Sequence, residues 1–306
     1  MNIQTIIVTW NQTDLTLKCV ASLVADGVQE STIWLVDNAS NDPALPHIHA
    51  QFPAIHGVRL EQNCGFAGGC NIGASHALDH DPTTEALFFF NNDAETEPHG
   101  LAQLADELQS QPDIAAVSPK VYYAGTDRII QSTGLTVDRD SGHVRMMNAN
   151  QPDQGQADTP ADREALFGCA MLIRADVWRA TNGFWDAFFN YAEEVDWCVR
   201  VRRSGWRLRY VPSASVWHNT SSSLGWNSPL KIYLMTRNQW WLRERHRSGG
   251  LGALRGWLYA VYVLTRTAFR YLRQRQWRQA WAIWLGTWDY WQGITGNART
   301  RNLAKL

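Results

Sequence analysis

Apolar segments of strand length alternate with helical segments along the first third of the chain, and this alternation limits the fold more than any other feature. The strand-like segments cover residues 4–9, 32–36, 58–61 and 86–90. Apolar residues at helical spacing follow the first of them over 14–25. Strands separated by helices predict an α/β fold, in which a mostly parallel sheet is covered by helices on both faces.

The middle of the chain adds strand-like segments at 115–118, 131–137, 170–174 and 207–211. Between them, residues 148–162 are polar and lack periodicity, so we expect a mobile loop there. A chain of 306 residues is long enough for two domains, or for one large domain with an appendage. Its composition excludes disordered, collagen-like and disulfide-scaffold proteins.

Cysteine usage and apolar run lengths indicate a cellular compartment. The five cysteines include no Cys-x-x-Cys pair, which argues against a zinc ribbon or a disulfide framework and favours a reducing compartment. The first residues lack the basic and apolar segments of a secretory signal. No apolar run reaches 18 residues, so no membrane span is expected. These observations predict a cytoplasmic protein.

The chain divides by charge near residue 228. Residues 1–228 carry 14 Lys and Arg against 27 Asp and Glu, whereas residues 229–306 carry 14 against 2. A basic segment beside an acidic body favours an anionic partner. Because no nucleic-acid reader motif accompanies it, nucleic acid is not the expected partner. We therefore predict a domain at 1–228 and a separate basic helical region at 229–306.

The basic region also holds eight of the 16 tryptophans. Five of them would form one stripe on a helix: Trp277, Trp281, Trp284, Trp288 and Trp291. An apolar helical face flanked by arginines precedes them between Leu254 and Leu272. Basic amphipathic helices rich in Trp are typical of proteins that lie on an anionic membrane surface. The alternative is a helical pair that packs on the rest of the chain or on a second copy.

Polar residues directly follow three of the predicted strands, at 9–11, 37–42 and 91–93. Ligands bind at the carboxyl ends of parallel strands, although Asn, Asp and Ser are also ordinary turn residues. Asp93 at such an edge could hold Mg²⁺ or Mn²⁺ together with a nucleotide diphosphate. Its alternative role is to cap a helix predicted near 98–110.

A glycine-rich stretch at 63–73 matches neither the dinucleotide fingerprint nor the P-loop. Glycines before a helix allow close backbone approach, and the free N–H groups of the helix start favour an anion such as a diphosphate. Tight turns also use glycine for purely steric reasons. The stretch by itself therefore leaves both interpretations open.

Three carboxylates fall within four positions at Glu193, Glu194 and Asp196, beside aromatic residues. On a helix, Glu193 and Asp196 would share a face while Glu194 would point elsewhere. Crowded acids beside aromatic rings have a raised pKa, which suits a general base, but acids in a first helical turn are also an ordinary solvated pattern. His218 ends an apolar stretch before a polar loop.

Six motifs, in order, resemble glycosyltransferase family 2, and within it the bacterial rhamnosyltransferase-like members. They are VDNASND (36–42), NCGFAGGCNIG (63–73), FFFNND (88–93), GCAMLIR (168–174), GFWDAFFNYAEEVDWCVR (183–200) and YVPSASVWH (210–218). The resemblance covers most of residues 4–245. It implies a GT-A fold and inverting transfer of a sugar from a nucleotide donor with Mg²⁺ or Mn²⁺ as cofactor.

The resemblance also implies roles for single residues. Thr9 and Asn11 would line the base and ribose pocket, and Asp37 would accept the pyrimidine N3–H. Asp93 and His218 would hold the metal. The rest of the implied nucleotide-sugar site comprises Asn38, Gly65, Phe66, Asn71, Asn91 and Asn92.

By the same resemblance, Glu194 would be the general base, with Glu193 and Asp196 as neighbouring catalytic acids. The family usually has Asp at the position of Glu194, and a base displaced by about 1 Å can cost about 100-fold in rate. Trp10 and Cys70 also depart from the family, which commonly has Tyr and Asn there. Neither change removes a required chemical group.

Two function classes follow. The first is an inverting, metal-dependent glycosyltransferase that uses a dTDP- or UDP-sugar, with dTDP-rhamnose as the family's nearest suggestion, to extend a lipid-linked or cell-surface glycan at the inner face of the cell membrane. Residues 1–95 would form its nucleotide-sugar half and 96–228 its acceptor half, with a membrane-surface or homodimer contact through 229–306. The second class is a catalytically weak sugar-nucleotide-binding or scaffold protein of the same fold.

Overall fold

The computed structural model describes residues 1–219 and 227–297, which form an α/β body followed by three helices. The first part of the body contains β1 (Ile3–Thr9), α1 (Thr13–Ala25), β2 (Ile33–Asp37), α2 (Ala44–His49), β3 (His56–Arg59), α3 (Gly65–His80), β4 (Ala86–Asn91), β5 (Ala94–Thr96) and α4 (Gly100–Ser110). The second part contains β6 (Ile114–Tyr123), β7 (Ile129–Ser132), β8 (Leu135–Asp138), β9 (His143–Met146), β10 (Gln151–Pro152), β11 (Ala161–Asp162), β12 (Ala170–Arg174), α5 (Ala175–Ala180), α6 (Glu193–Arg203) and β13 (Arg207–His218). The C-terminal helices are α7 (Pro229–His246), α8 (Gly250–Arg273) and α9 (Trp277–Trp291).

One large sheet organises the body. Its parallel part has the strand order β3-β2-β1-β4, and β12 continues it antiparallel to β4. Next to β12 lies β6, which pairs parallel with β13, and the end of β13 pairs antiparallel with β5. This mostly parallel sheet with helices on its faces confirms the predicted α/β class.

Side-chain alternation explains why these strands read as continuous apolar runs. In β4, Phe89 packs into the core on one face of the sheet, whereas Phe88 and Phe90 pack into the core on the other. The neighbouring β1 divides its side chains in the same way, with Ile6 on the first face and Ile7 on the second. Because both faces are buried, most positions of these strands are apolar. The polar exceptions inside β1, Gln4 and Thr5, are buried as well, and Gln4 accepts a 2.9 Å hydrogen bond from the indole of Trp34.

Two details differ from the sequence expectation. The strand predicted at 131–137 is divided into β7 and β8, because Gly134 has a φ of +121° that breaks the extended backbone. The segment predicted as a mobile loop at 148–162 contains β10 and β11. It is also tied to the sheet, because the buried Lys120 ammonium donates a 2.7 Å hydrogen bond to Asp153.

The predicted helical region begins as expected, and its first helix is built into the body. Arg245 and His246 of α7 contact the buried Asp196 carboxylate of α6 at 2.6 and 2.7 Å. On its other side α7 packs against α9, where Gly286 lies so close that a Cβ there would meet the Tyr233 carbonyl oxygen at 2.7 Å. Within the part of the chain that the structure describes, no helix has both the length and the apolarity needed to cross a membrane.

Candidate active site

A cavity of about 1160 Å³ opens at the carboxyl ends of β1 and β4. Its walls come from the loops that follow these strands, from the start of α6, and from the inner sides of α7 and α8. The predicted site residues among its lining are Thr9, Asn38, Gly65, Phe66, Asn91, Asn92, Asp93, Glu193, Glu194 and His218. The strand ends therefore do meet at one site, and the division predicted at residue 228 does not separate that site from the helical region.

Asp93 and His218 meet at one end of this cavity. Asp93 follows β4 and His218 ends β13, and their Oδ1 and Nε2 atoms are 3.1 Å apart. The other ring nitrogen of His218, Nδ1, lies 2.9 Å from the amide oxygen of Gln131. Since that oxygen can only accept, the Nδ1 proton is held there and the Nε2 lone pair faces the Asp93 carboxylate. An imidazole nitrogen and a carboxylate oxygen this close together can both bind one cation.

Asn91 adds a third polar atom to this group. Its Nδ2 lies 3.2 Å from His218 Nε2, and its Oδ1 is buried without a hydrogen-bond partner. Carboxylate and amide oxygens with one imidazole are donors that suit Mg²⁺ or Mn²⁺. No cluster of three His, Cys, Asp or Glu side chains with metal-binding geometry occurs among the described residues. A cation at Asp93 and His218 would therefore take its remaining ligands from phosphate and water.

Asn92 fixes the neighbouring strand end. Its side-chain amide lies 3.1 to 3.3 Å from oxygens of Thr9, Gln12 and Thr16. Thr9 is fully buried, and its hydroxyl also shares a 2.8 Å hydrogen bond with Thr16. These contacts join the ends of β1 and β4 to the start of α1, so Asn92 and Thr9 hold the cavity wall in place.

Asp37 and Asn11 lie behind the wall rather than on it. The fully buried Asp37 carboxylate accepts 2.9 Å hydrogen bonds from the backbone N–H groups of Ser40 and Ala44, and a 2.5 Å contact from Arg59. Asn11 accepts from the backbone of Asn41. The lining at this point is formed by Asn38, Ala39 and Asn41 instead. The Asp37 carboxylate thus shapes the loop, and its predicted contact with a base would need that loop to rearrange.

The glycine-rich turn is held against the loop before α6. Asn38 donates a 2.9 Å hydrogen bond to the Gly65 carbonyl and accepts one of 2.8 Å from the Cys64 N–H. Gly65 has a φ of +75°, and a Cβ there would lie 2.1 Å from the Phe189 carbonyl oxygen. Glycine is required here because the two backbones touch. The turn places Gly65 and Phe66 on the cavity wall.

Asn71, predicted to bind the nucleotide-sugar, lies outside the cavity lining. Its amide donates to the Phe184 carbonyl at 2.8 Å and accepts from the Phe184 N–H at 3.0 Å. Both polar atoms of the side chain are therefore engaged in joining α3 to the segment before α6. The geometry gives Asn71 a structural contact in place of the expected ligand contact.

Glu193 and Glu194 both line the cavity, and each has a buried carboxylate oxygen without a hydrogen-bond partner. Burial raises the pKa of Glu194 to about 7. The pKa of Glu193 is raised well above its usual range, first by burial and then by the Glu194 charge. Burial and like charge thus favour a protonated Glu193 beside a partly ionised Glu194 near neutral pH.

The helix face was predicted wrongly at this point. The sequence suggested that Glu193 and Asp196 share a face, but Glu193 and Glu194 share the cavity. All three acids lie in the first turn of α6, which begins at Glu193 after Ala192 in the left-handed region at φ 76°. They differ in what they meet, since the two glutamates line the cavity and Asp196 contacts α7. The absence of a side chain at Gly168 lets Glu194 pack there, since a Cβ would lie 3.1 Å from its Cγ.

Asp196 instead faces α7, away from the cavity. Its fully buried carboxylate contacts Arg200 at 2.9 Å, Arg245 at 2.6 Å and His246 at 2.7 Å. Although burial opposes ionisation, hydrogen bonds from His246 and Arg245 and the positive charges of Arg245 and Arg200 hold the pKa of Asp196 at about 2. The carboxylate is therefore an ion-pair centre between two helices and is separate from the pair of glutamates.

Several cavity residues carried no sequence signal. Lys231 of α7 lies 5.7 Å from the centre of the Tyr191 ring, and burial lowers the pKa of its ammonium. Tyr191 in turn lies near the charges of Glu193 and Asp93, which raise the pKa of its phenol beyond the effect of burial. Gln131 was missed as well. Lys231 and Gln131 are far along the sequence from the residues they contact, so no local pattern marks them. Tyr191 lies inside the motif at 183–200 but was given no role.

The fold places the chain in a known structural class. It is similar to the crystal structure of GalNAc-T7 with UDP, GalNAc and Mn²⁺, with a TM-score of 0.58 and 18% identity over 71% of this chain and 43% of that one. It is also similar to Staphylococcus aureus TarS 1–349 in complex with UDP-GlcNAc, with a TM-score of 0.53 and 12% identity over 96% and 92% of the two chains. These likenesses concern the fold alone, which is the GT-A fold expected from the motifs.

Sequence comparison gives the family. The family model for glycosyl transferase family 2 matches residues 5–180, and the chain belongs to this family of transferase enzymes. It is 30% identical over 129 residues to the N-acetylglucosaminyl-diphospho-decaprenol L-rhamnosyltransferase of Mycobacterium tuberculosis strain H37Rv. That match covers 38% of this chain and 41% of the relative. It is 24% identical over 218 residues to the low-salt glycan biosynthesis hexosyltransferase Agl10 of Haloferax volcanii, and this match covers 70% of this chain and 66% of the relative.

Proposed function

We propose that the chain transfers a sugar from a nucleoside diphosphate donor to a hydroxyl group of a glycan, with inversion at the anomeric carbon. The observation that carries this proposal is the pair formed by Glu193 and Glu194 in the same cavity as Asp93 and His218. The same cavity thus holds residues that suit a diphosphate and its cation and a carboxylate that can take a proton.

Glu194 is the general base in this proposal. With its pKa raised to about 7, it is partly ionised at neutral pH, and its conjugate acid is weak enough for it to accept a hydroxyl proton as the acceptor attacks. Glu193, whose pKa is raised further, stays protonated and limits repulsion within the pair. Asp196 is assigned to holding α6 on α7, because its oxygens are already bound by Arg200, Arg245 and His246.

The diphosphate is proposed to lie near Asp93, His218 and Lys231. Mg²⁺ or Mn²⁺ held by Asp93 and His218 supplies charge neutralisation for the departing diphosphate when it is bound. Gln131 keeps the His218 ring in the orientation that leaves Nε2 toward this site. Lys231 adds positive charge from α7, which favours the same leaving group.

The donor and acceptor are proposed from the relatives. The M. tuberculosis relative is named for L-rhamnose transfer to a diphospho-decaprenol acceptor, and the structural neighbours hold UDP or UDP-GlcNAc. We therefore propose dTDP-rhamnose as the first donor to test, with UDP-sugars next. The acceptor would be a lipid-linked or cell-surface glycan, met at the inner face of the cell membrane through the helices of residues 229–297.

The test is a transfer assay on the purified chain. It would be incubated with dTDP-rhamnose, UDP-GlcNAc or UDP-galactose, with Mg²⁺ or Mn²⁺, and with a GlcNAc-diphospho acceptor on a short alkyl chain. We expect transfer from one donor, with the anomeric configuration inverted in the NMR spectrum of the product. Nucleotide binding without transfer to any acceptor or water, from a folded chain, would favour the sugar-nucleotide-binding or scaffold alternative.

A further inference from the structure

The outward side of α9 exposes a continuous row of aromatic rings. Its members are Trp277, Trp281, Trp284, Trp288 and Trp291, whose exposed fractions range from 47% to 64%. Neighbouring rings stack on one another, with centroids 4.6 Å apart for Trp281 and Trp284 and 5.7 Å apart for Trp284 and Trp288. The opposite side of the helix is buried against α7, so the row is not part of the core. An exposed apolar row of this length marks a contact surface.

The preceding helix, α8, adds a second apolar row. Its exposed members are Leu251, Leu254, Leu258, Tyr262, Phe269 and Leu272. At about 100° per residue these positions lie on the side opposite to Ala253, Gly256 and Ala260, which are buried. The cavity-lining residues Val263, Leu264 and Thr267 lie on the buried side. One helix thus forms a wall of the active-site cavity and presents an apolar row outward.

The charges around the two rows have one sign. Six arginines are exposed between residues 255 and 278, namely Arg255, Arg266, Arg270, Arg273, Arg275 and Arg278. The one acidic residue in α8 or α9, Asp289, is fully buried and accepts a 2.8 Å hydrogen bond from Tyr233. Residues 1–228, in contrast, carry almost twice as many acidic as basic residues. A partner that fits this surface has an anionic outer layer for the arginines and an apolar layer just beneath it for the aromatic rings.

We propose that the outward rows of α8 and α9 bind the surface of an anionic lipid bilayer, with the tryptophans at the depth of the headgroups and the arginines on lipid phosphates. Tryptophan prefers the bilayer interface, and each arginine near an anionic surface strengthens binding about fivefold. Because α8 also lines the cavity, the bound enzyme holds its active site next to the bilayer. The membrane contact stands independently of the proposed function. Only the conclusion that the acceptor is anchored in the same bilayer rests on that function.

The experiment is co-sedimentation of the full chain with vesicles of phosphatidylcholine alone or with 30% phosphatidylglycerol added, at about 50 and 500 mM salt. We expect binding to the anionic vesicles and loss of most of it at high salt. A triple variant, Trp281→Ala/Trp284→Ala/Trp288→Ala, should lose binding at least tenfold, and brominated lipids should quench tryptophan fluorescence of the wild type more than that of the variant. Thermal melting and nucleotide binding of the variant establish that it is folded.

Two double variants with the same change in net charge isolate the electrostatic contribution to vesicle binding. Arg266→Glu/Arg270→Glu changes α8, and Arg139→Glu/Arg202→Glu makes the same change in net charge on exposed arginines of the body. Only the first pair should weaken vesicle binding, by roughly 30-fold or more. Equal weakening by both pairs, or unchanged binding by the tryptophan variant, would overturn the proposal.

Two further readouts separate the alternatives. Light scattering gives the oligomeric state. If the wild type is a dimer, the tryptophan variant is a monomer and neither binds vesicles, the surface belongs to a contact with a second copy and the proposal is overturned. Transfer to a soluble short-chain acceptor distinguishes the two failures. A chain that transfers sugar but does not bind vesicles refutes the membrane surface, whereas one that binds vesicles but transfers no sugar retains this surface and refutes the proposed reaction.

Discussion

The side-chain amide of Asn238 in α7 donates a 2.8 Å hydrogen bond to the backbone carbonyl of Tyr191, two residues before Glu193. The same amide lies within 3.0 Å of the carbonyls of Phe188 and Asn190. This loop holds Phe189, Tyr191 and Ala192 at positive φ, a conformation that costs non-glycine residues free energy. A fully buried side chain from the helical region therefore stabilises the strained segment that positions both glutamates.

Replacing Asn238 should affect catalysis more than donor binding. In Asn238→Ala the carbonyls lose their donor and the loop relaxes, so we expect kcat to fall about 100-fold through displacement of Glu194, with the donor KM within about threefold of wild type. Asn238→Asp has nearly the same shape but no donor, and should be at least as impaired. Glu244→Ala, on the exposed side of the same helix, is the control for α7. A fall in donor affinity with unchanged kcat would contradict this role.

The activity should depend on pH through the glutamate pair. A base must be ionised, and burial raises the pKa of Glu194 to about 7, so kcat/KM should rise about tenfold per pH unit up to pH 7 and level off above it. Glu194→Gln should lose roughly 10²–10⁴-fold in kcat while still binding the donor nucleotide. Glu194→Asp keeps a carboxylate and should retain the acid limb with a lower plateau. Full activity of the glutamine variant would remove Glu194 as the base.

Nucleotide affinity should depend on a divalent cation through Asp93, His218 and Gln131. Calorimetric titration with dTDP and UDP, each with Mn²⁺, Mg²⁺ or EDTA, should show binding of one nucleotide that EDTA abolishes. Gln131→Leu removes the acceptor for His218 Nδ1, which we expect to weaken Mn²⁺ about 10–100-fold, whereas Gln131→Glu keeps an acceptor and should bind well. Nucleotide binding that is equally tight in EDTA would argue against a cation at this site.

Folding stability should report the Asp196 ion-pair centre. Its pKa is held at about 2, below the ordinary value of 3.8, so its contribution of about 2 kcal/mol is present above pH 4 and is lost as the pH falls toward 2. Asp196→Asn leaves Arg200 and Arg245 without their counter-ion and should cost about 3–5 kcal/mol at neutral pH in urea unfolding. Asp113→Asn, an exposed carboxylate paired with Arg207, is the control. Equal losses for both variants would contradict a special role for Asp196.

Local pattern was sufficient for the architecture. The four parallel strands begin and end within about two residues of the expected positions, because burial on both faces produces continuous apolar runs that turn residues interrupt. The same reasoning located Asn91 and Asp93 at a strand end. Glu194 stood out instead through the crowding of three carboxylates and the family resemblance. The exposed tryptophan row on α9 also follows from helical spacing, since it depends on periodicity within one helix.

Tertiary packing decided which of these residues share the cavity. Glu193 and Glu194 line it while Asp196 faces α7, because α7 supplies Arg245 and His246 as partners for the Asp196 carboxylate. The partners that orient the site lie far away in sequence: Gln131 is 87 residues from His218 and Asn238 is 47 from Tyr191. Periodicity and propensity act over a few residues, whereas these contacts depend on how whole elements pack. The sequence therefore determined the sheet and its chemistry-bearing ends, and only the packed structure made the C-terminal helices walls of the cavity.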